Sequence, residues 1–145
     1  MGEFVYSNGE KYVGNFVDGR PGGDGTEYFS DGEIKYSGGW KNGQPHGLGL
    51  YQFANKSLGL CYEGSFVGGL RDGTGTMHYD GKSKYIGMWA GGKRSGQGVM
   101  WYKAGRKYEG AWVGDLREGK GKLWGSDGEL AWDGEWAADK KVDLR

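Results

Sequence analysis

Two histidines, one cysteine and a few recurrent loop carboxylates are the residues of this chain that could support metal, nucleophilic or acid–base chemistry. A zinc site needs three or four Cys, His or carboxylate ligands at close spacing. His46 and His78 have no such neighbours in sequence, and they read as satisfied surface histidines. Cys61 precedes Tyr62 and reads as a small packing residue, since a nucleophilic thiol needs a partner base or an electropositive setting. Asp72, Glu118 and Asp139 recur near one loop, as a carboxylate pair for general acid–base work would; a solvated loop edge is the preferred reading. Gly-x-Gly recurs throughout, but each instance opens an extended segment and not a helix, so the phosphate cradle of a helix N-terminus is missing. The residues imply no catalytic constellation, no metal and no cofactor.

The elements that carry these residues are repeats. With Tyr108 as position zero, Gly110 follows at +2, Trp112 at +4, Gly119 at +11 and Gly121 at +13. The same ladder starts at Tyr12, Tyr36, Tyr62 and Tyr85, and a half copy starts at Trp132 with Gly134 and Trp136. The openers lie 24, 26, 23, 23 and 24 residues apart, a period that marks a repeat array. The chain divides as a partial repeat over 1–11, repeats over 12–35, 36–61, 62–84, 85–107 and 108–131, and a half repeat with tail over 132–145. The pattern enters and leaves in mid-repeat, which leaves unpaired edges and suggests end-to-end self-association or a longer parent chain.

Opening segments such as YIGMW and closing segments such as GQGVMWY alternate with a strand period and are too short for helices. Asp31-Gly32, Asp80-Gly81 and Asp127-Gly128 mark turns between repeats, and Asn-Gly closes FVYSNGE at Phe4–Glu10. Within a repeat, a loop such as KNGQPH (Lys41 to His46) supplies the other turn. The longest linker is Ala54 to Cys61. The expected fold is all-β: an elongated, single-layer antiparallel sheet of stacked hairpins, an open solenoid-like trough of about eleven or twelve strands. Setting +4 opposite +13 places Trp89 over Gly98, Met100 beside Gly87 and Tyr85 against Tyr102. Rings then fill the space that glycines leave, and one sheet buries its aromatics on itself.

Composition agrees. Thirty-three glycines and 36% apolar residues cannot build a thick core, so the 22 aromatics must supply the buried area. Nineteen basic and nineteen acidic residues cancel, so no net field draws the protein to nucleic acid. A lone cysteine fits a reducing compartment, and neither a membrane-spanning apolar run nor a signal-peptide pattern is present, which gives a cytoplasmic expectation.

The motif Y-x-G-x-[WF]-x-x-G-x-x-x-G-x-G, five times in phase from Tyr12 with a half copy reaching Trp136, resembles the MORN repeat (membrane occupation and recognition nexus). Asp115 and Asp139 depart from it where Gly19, Gly43, Gly69 and Gly92 hold +7, and Gly125 departs at +17; these bear on local turns and not on the fold. The resemblance implies a β-hairpin array used in scaffolds, cytoskeletal and ciliary structures and membrane junctions, or as an accessory region of lipid kinases or a methyltransferase. It implies no single chemistry.

Three surfaces are candidates for binding. One loop edge carries Arg20, Arg71, Lys93, Arg94, Arg117, Lys140 and Lys141, interleaved with Asp18, Asp72, Asp115, Glu118 and Asp139. The opposite edge has a denser cluster of Lys82, Lys84, Lys103, Arg106 and Lys107, suited to anionic headgroups or, equally, to keeping sheets apart. On the back of the sheet, Ile86 is expected to meet Trp101 and Met88 to meet Val99, with Val113 and Trp124 on the next hairpin. Such an apolar patch on a solvated face suits a protein partner, with Trp101 and Trp124 as anchors, unless sheet twist or the Ala137–Arg145 tail covers it. The expected function is a non-catalytic scaffold binding an amphipathic helix or a second copy of itself. The alternatives are a phosphoinositide- or anionic-membrane-binding module and the regulatory region of a multidomain enzyme.

Overall fold

The structure is a computed structural model that describes residues 1–54 and 59–143. Its strands are β1 (Gly2–Val5), β2 (Lys11–Val17), β3 (Arg20–Tyr28), β4 (Ile34–Lys41), β5 (Gln44–Gln52), β6 (Cys61–Val67), β7 (Leu70–His78), β8 (Lys84–Ala90), β9 (Lys93–Trp101), β10 (Lys107–Val113), β11 (Leu116–Trp124), β12 (Leu130–Ala137) and β13 (Lys140–Lys141). They form one open sheet in which spatial order equals chain order, each strand antiparallel to the next. Among the described residues the sheet has thirteen strands, one more than the upper expectation of twelve, because the short strand Lys140–Lys141 follows the last half repeat. Part of the Ala54–Cys61 linker, residues 55–58, lies outside the described residues.

Two kinds of turn alternate. Between repeats, the +17 backbone N–H returns to the carbonyl four residues on, as in Tyr79 N to Ser83 O (3.0 Å) and Tyr102 N to Arg106 O (2.8 Å). The Asp of each Asp-Gly pair caps it, Asp31 Oδ1 accepting from Glu33 N (2.9 Å) and Asp80 Oδ1 from Lys82 N (2.7 Å). Gly125 keeps the same closure to Glu129 O at 2.9 Å. Within repeats the turns have only two central residues, both left-handed: Asn42 and Gly43 at φ 53° and 80°, Gly91 and Gly92 at 57° and 86°. This is the hairpin turn whose twist matches its strands, and it shortens the expected Lys41–His46 loop to Asn42-Gly43, with Gln44 onward already in β5. Asp115 and Asp139 hold φ 73° and 72°, so the departures from glycine leave the turn intact.

The short turn and a bulge correct the expected register, by four residues at +4 and by two at +2 and position zero. The turn sets +4 opposite +9, and the bulge follows between +2 and +4 of the opening strand, with glycines at φ 75–94° at +11 opposite it. Gly87 therefore pairs with Gly98, Tyr85 with Met100 and Trp89 with Arg94, in place of Gly87 with Met100, Tyr85 with Tyr102 and Trp89 with Gly98. Rings still lie on bare backbone, but the ring over each +13 glycine is the tyrosine. A Cβ built on Gly25, Gly49, Gly75, Gly98 or Gly121 would overlap Tyr12, Tyr36, Tyr62, Tyr85 or Tyr108 respectively. All five tyrosines are fully buried.

Each repeat's Trp reaches back to the hairpin before it. Trp89 Nε1 donates to Gly75 O (3.2 Å) and Trp112 Nε1 to Gly98 O (3.3 Å). Edge-on contacts join Tyr62 to Trp89 (centroids 5.4 Å), Trp89 to Tyr85 (5.1 Å) and Tyr85 to Trp112 (5.4 Å), and the column runs on in both directions from Phe16 to Trp136. Met77, Met100 and Leu123 flank it at +15. The core is thus one face of one sheet.

Candidate partner-binding surfaces

On the aromatic face, the +9 arginines are structural. Arg94 lies over Trp112, guanidinium carbon to centroid 4.7 Å, and donates through Nε (3.1 Å) and its backbone N–H (2.9 Å) to Asp115 Oδ1. Arg117 repeats this on Trp136 (4.4 Å) with Asp139, at 2.7 and 3.1 Å. Partial burial pushes the Asp139 carboxyl up, and the hydrogen bonds from Arg117 outweigh it and hold the group below the usual carboxylate range. Arg71 lies over Trp89 at 4.9 Å. Sequence reading placed these arginines along one loop edge, interleaved with carboxylates; the signal it missed was their shared +9 position.

The loop carboxylates do not assemble a dyad. Asp72 Oδ2 accepts Gly91 N (3.1 Å), Glu118 Oε2 accepts Ala138 N (2.8 Å), and Asp139 is held by Arg117. Each fastens one hairpin turn to the next. Cys61 and His78, far apart in sequence, sit opposite each other across β6 and β7. Burial, then the charge of Glu63, pushes the Cys61 thiol up, which keeps it protonated and a poor nucleophile. Among the described residues no group of three or more His, Cys, Asp or Glu side chains could hold a metal ion.

The back of the sheet differs from expectation in its pairing. Ile86 faces Val99, Met88 faces Thr74, and Trp101 faces Lys84 on one side and Lys107 on the other. Lys107 in turn faces Trp124. The apolar patch is therefore smaller than predicted: Glu109 stands opposite Val99, and Val113 pairs with Leu116 at the hairpin end. The Trp residues belong instead to a row, Lys84–Trp101–Lys107–Trp124, with Lys84 Nζ 4.9 Å from the Trp101 ring and Lys107 Nζ 4.4 Å from the Trp124 ring. The basic cluster is divided accordingly. Lys84 and Lys107 lie on the face, whereas Lys82, Lys103 and Arg106 sit at the turns, Lys103 bridged to Asp80 (3.2 Å) and Arg106 over Tyr102 (5.6 Å). Backbone hydrogen bonding from Lys82, helped by Ser83 and Lys103, holds the Asp80 carboxyl far below its ordinary range.

Known proteins share this pattern. The family model described as the MORN repeat matches residues 12–34, 36–58, 62–83, 85–105 and 108–129. MORN repeat-containing protein 3 of Xenopus laevis is 35% identical over 82 residues, which cover 54% of this chain and 34% of that protein, so the chain spans about a third of the relative's length. Five matched repeats, one meandering sheet and tyrosines seated on glycines agree: the chain belongs to the MORN repeat family.

Proposed function

We propose that the chain is a non-catalytic interaction scaffold that holds a protein partner, an amphipathic helix or a second copy of itself, on the sheet face opposite the aromatic column. MORN repeats are interaction modules in general, and the observation that carries the finer reading is exposure in mid-sheet. Ile86 and Met88 are 41% and 43% exposed, Ile86 paired in the ladder and Met88 at the bulge, with Val99 and Trp101 half-buried on the adjacent strand, Trp124 half-buried two strands farther on and Val113 at the margin. Aromatic anchors of this kind dominate interface energetics. Trp101→Ser is expected to abolish capture of the partner with the far-ultraviolet spectrum unchanged; capture at wild-type strength would overturn the assignment.

A second reading, peripheral contact with anionic membrane, draws support from the Lys84–Trp101–Lys107–Trp124 row, in which amines alternate with interfacial indoles. Sedimentation with vesicles of 30% phosphatidylserine tests it: binding at low salt that moderate salt removes supports it, and no binding at low salt ends it. The proposed location is the cytoplasm, in association with cytoskeleton or membrane.

A further inference from the structure

The three arginine latches are not equivalent, and the difference points to a ligand. Arg94 and Arg117 each give their Nε proton to the Asp at +7 of the following repeat. The residue at that place beside Arg71 is Gly92. Arg71 keeps the stacking on Trp89 and a hydrogen bond from Nη2 to Gly92 O (2.7 Å), but its buried Nε has no acceptor. A buried charged donor without a partner is costly, and native folds rarely leave one.

Arg71 also lines a cavity of about 230 Å³ on the aromatic face, together with Tyr51, Phe53, Tyr62, Phe66 and Leu70. That cavity lies where the pattern is broken: Phe66 holds the position that Trp89, Trp112 and Trp136 hold elsewhere, and Pro45 stands at +9 where the later repeats have arginine. Missing indole and missing guanidinium together leave apolar room beside an unmatched cation.

We propose that this cavity binds a segment of a partner polypeptide bearing an aspartate or glutamate flanked by apolar side chains, the acid standing where Asp115 and Asp139 stand in the other latches. Charge complementarity selects the acid, because the guanidinium geometry already accepts a carboxylate at the two equivalent places in this chain. Space permits it. A Cβ at Gly92 would meet only Leu70 Cδ2, at 3.8 Å, an ordinary contact. The apolar neighbours of the acid would fill the cavity between Tyr51, Phe53 and Phe66. This groove is on the face opposite Trp101 and is independent of the surface proposed above.

Gly92→Asp provides the test, since it supplies the acid from within the chain at a φ of 86° close to the 73° and 72° that Asp115 and Asp139 adopt. A library of random dodecapeptides is selected on the intact wild-type chain. The enriched peptides are expected to carry Asp or Glu next to an aromatic or branched apolar residue, to lose at least tenfold in affinity when that acid becomes Asn or Gln, and to lose as much against Gly92→Asp. In nitrogen-15 spectra the Arg71 Nε–H resonance should shift on adding such a peptide, and in Gly92→Asp it should exchange with water as slowly as those of Arg94 and Arg117. Arg71→Gln, folded by its far-ultraviolet spectrum, should also lose the peptides, and Trp101→Ser should retain them. Enriched peptides without an acid, or binding to Gly92→Asp within twofold of wild type, would overturn the proposal.

Discussion

The Arg94 guanidinium covers the Trp112 indole at 4.7 Å while its Nε and backbone N–H converge on one oxygen of Asp115. Sandwiched between a ring and a carboxylate, it joins repeat to repeat on the side of the column that the strands do not cover. The Asp115 side chain is 44% exposed and that of Arg94 19%, so solvent screens the ion pair and most of the latch's value lies in stacking and directed hydrogen bonds. Arg94→Met is expected to cost about 2 kcal/mol and Asp115→Asn, which keeps an acceptor oxygen, less than about 1 kcal/mol. Urea titrations of the single and double variants should return a coupling of about 0.5 kcal/mol; a coupling indistinguishable from zero would mean that Asp115 serves the turn alone.

Glycine at +13 is a packing requirement. In Gly98→Ala the new methyl would overlap the ring of Tyr85, and that ring cannot retreat because Trp89 and Trp112 meet it at 5.1 and 5.4 Å. The expected loss is about 3 kcal/mol, the upper end of overpacking costs. Gly81→Ala, in an open turn with nothing near its Cβ, should stay within about 0.5 kcal/mol. Tyr85→Phe removes the hydrogen bond its hydroxyl donates to Met88 O (2.9 Å) and should cost about 1 kcal/mol. Equal thermal midpoints for the two alanine variants would contradict the seating of ring on glycine.

The same tyrosines set the alkaline limit. Burial pushes the phenols of Tyr36, Tyr62, Tyr85 and Tyr108 up from 10.0 to about 12, with Arg71 partly offsetting this at Tyr62. A pKa raised in the folded state means that the native chain holds its protons where the unfolded chain releases them. The stabilisation is therefore complete below pH 10 and is lost as pH rises from 10 towards 12. Each unit is worth about 1.4 kcal/mol per phenol, and four phenols titrate together. Far-ultraviolet dichroism should be lost between pH 10 and 12 together with the last part of the absorbance change at 295 nm; full tyrosinate absorbance from all ten tyrosines with the sheet intact would refute the burial argument.

Period, strand alternation and the pairing of rings with glycines were legible in the sequence because each depends on residue identity at fixed spacing. Register was not. It depends on whether Asn42-Gly43 alone closes the hairpin and on a bulge opposite left-handed glycines at +11, and the expected longer loop displaced the cross-strand neighbours by two residues before the bulge and by four beyond it. From that displacement follow the misassigned Ile86–Trp101 and Met88–Val99 pairs and the separation of the lysines from the tryptophans they stack on. The arginine latches link residues 21 or 22 apart, as in Arg94–Asp115, so they become visible only after hairpins are stacked in the right phase. Asp115 and Asp139, departures from the repeat in sequence, are partners in the fold.

A column of contacts between nearest neighbours should fail locally. Trp89 touches Tyr62 on one side and Tyr85 on the other, carries Arg71 on its face and donates to Gly75 O, so its ring joins the repeat begun at Tyr62 to that begun at Tyr85. Trp136, whose ring meets that of Tyr108, closes the last interface. Trp89→Ala should cost about 4 kcal/mol, as expected for emptying a buried indole site. It should also divide hydrogen exchange into two blocks, with β2 to β7 and β8 to β12 opening separately. Trp136→Ala should raise exchange only in β11, β12 and β13. If both variants instead raise exchange evenly from β2 to β12, the sheet unfolds as one unit, and stability here is global and not a sum of neighbouring hairpins.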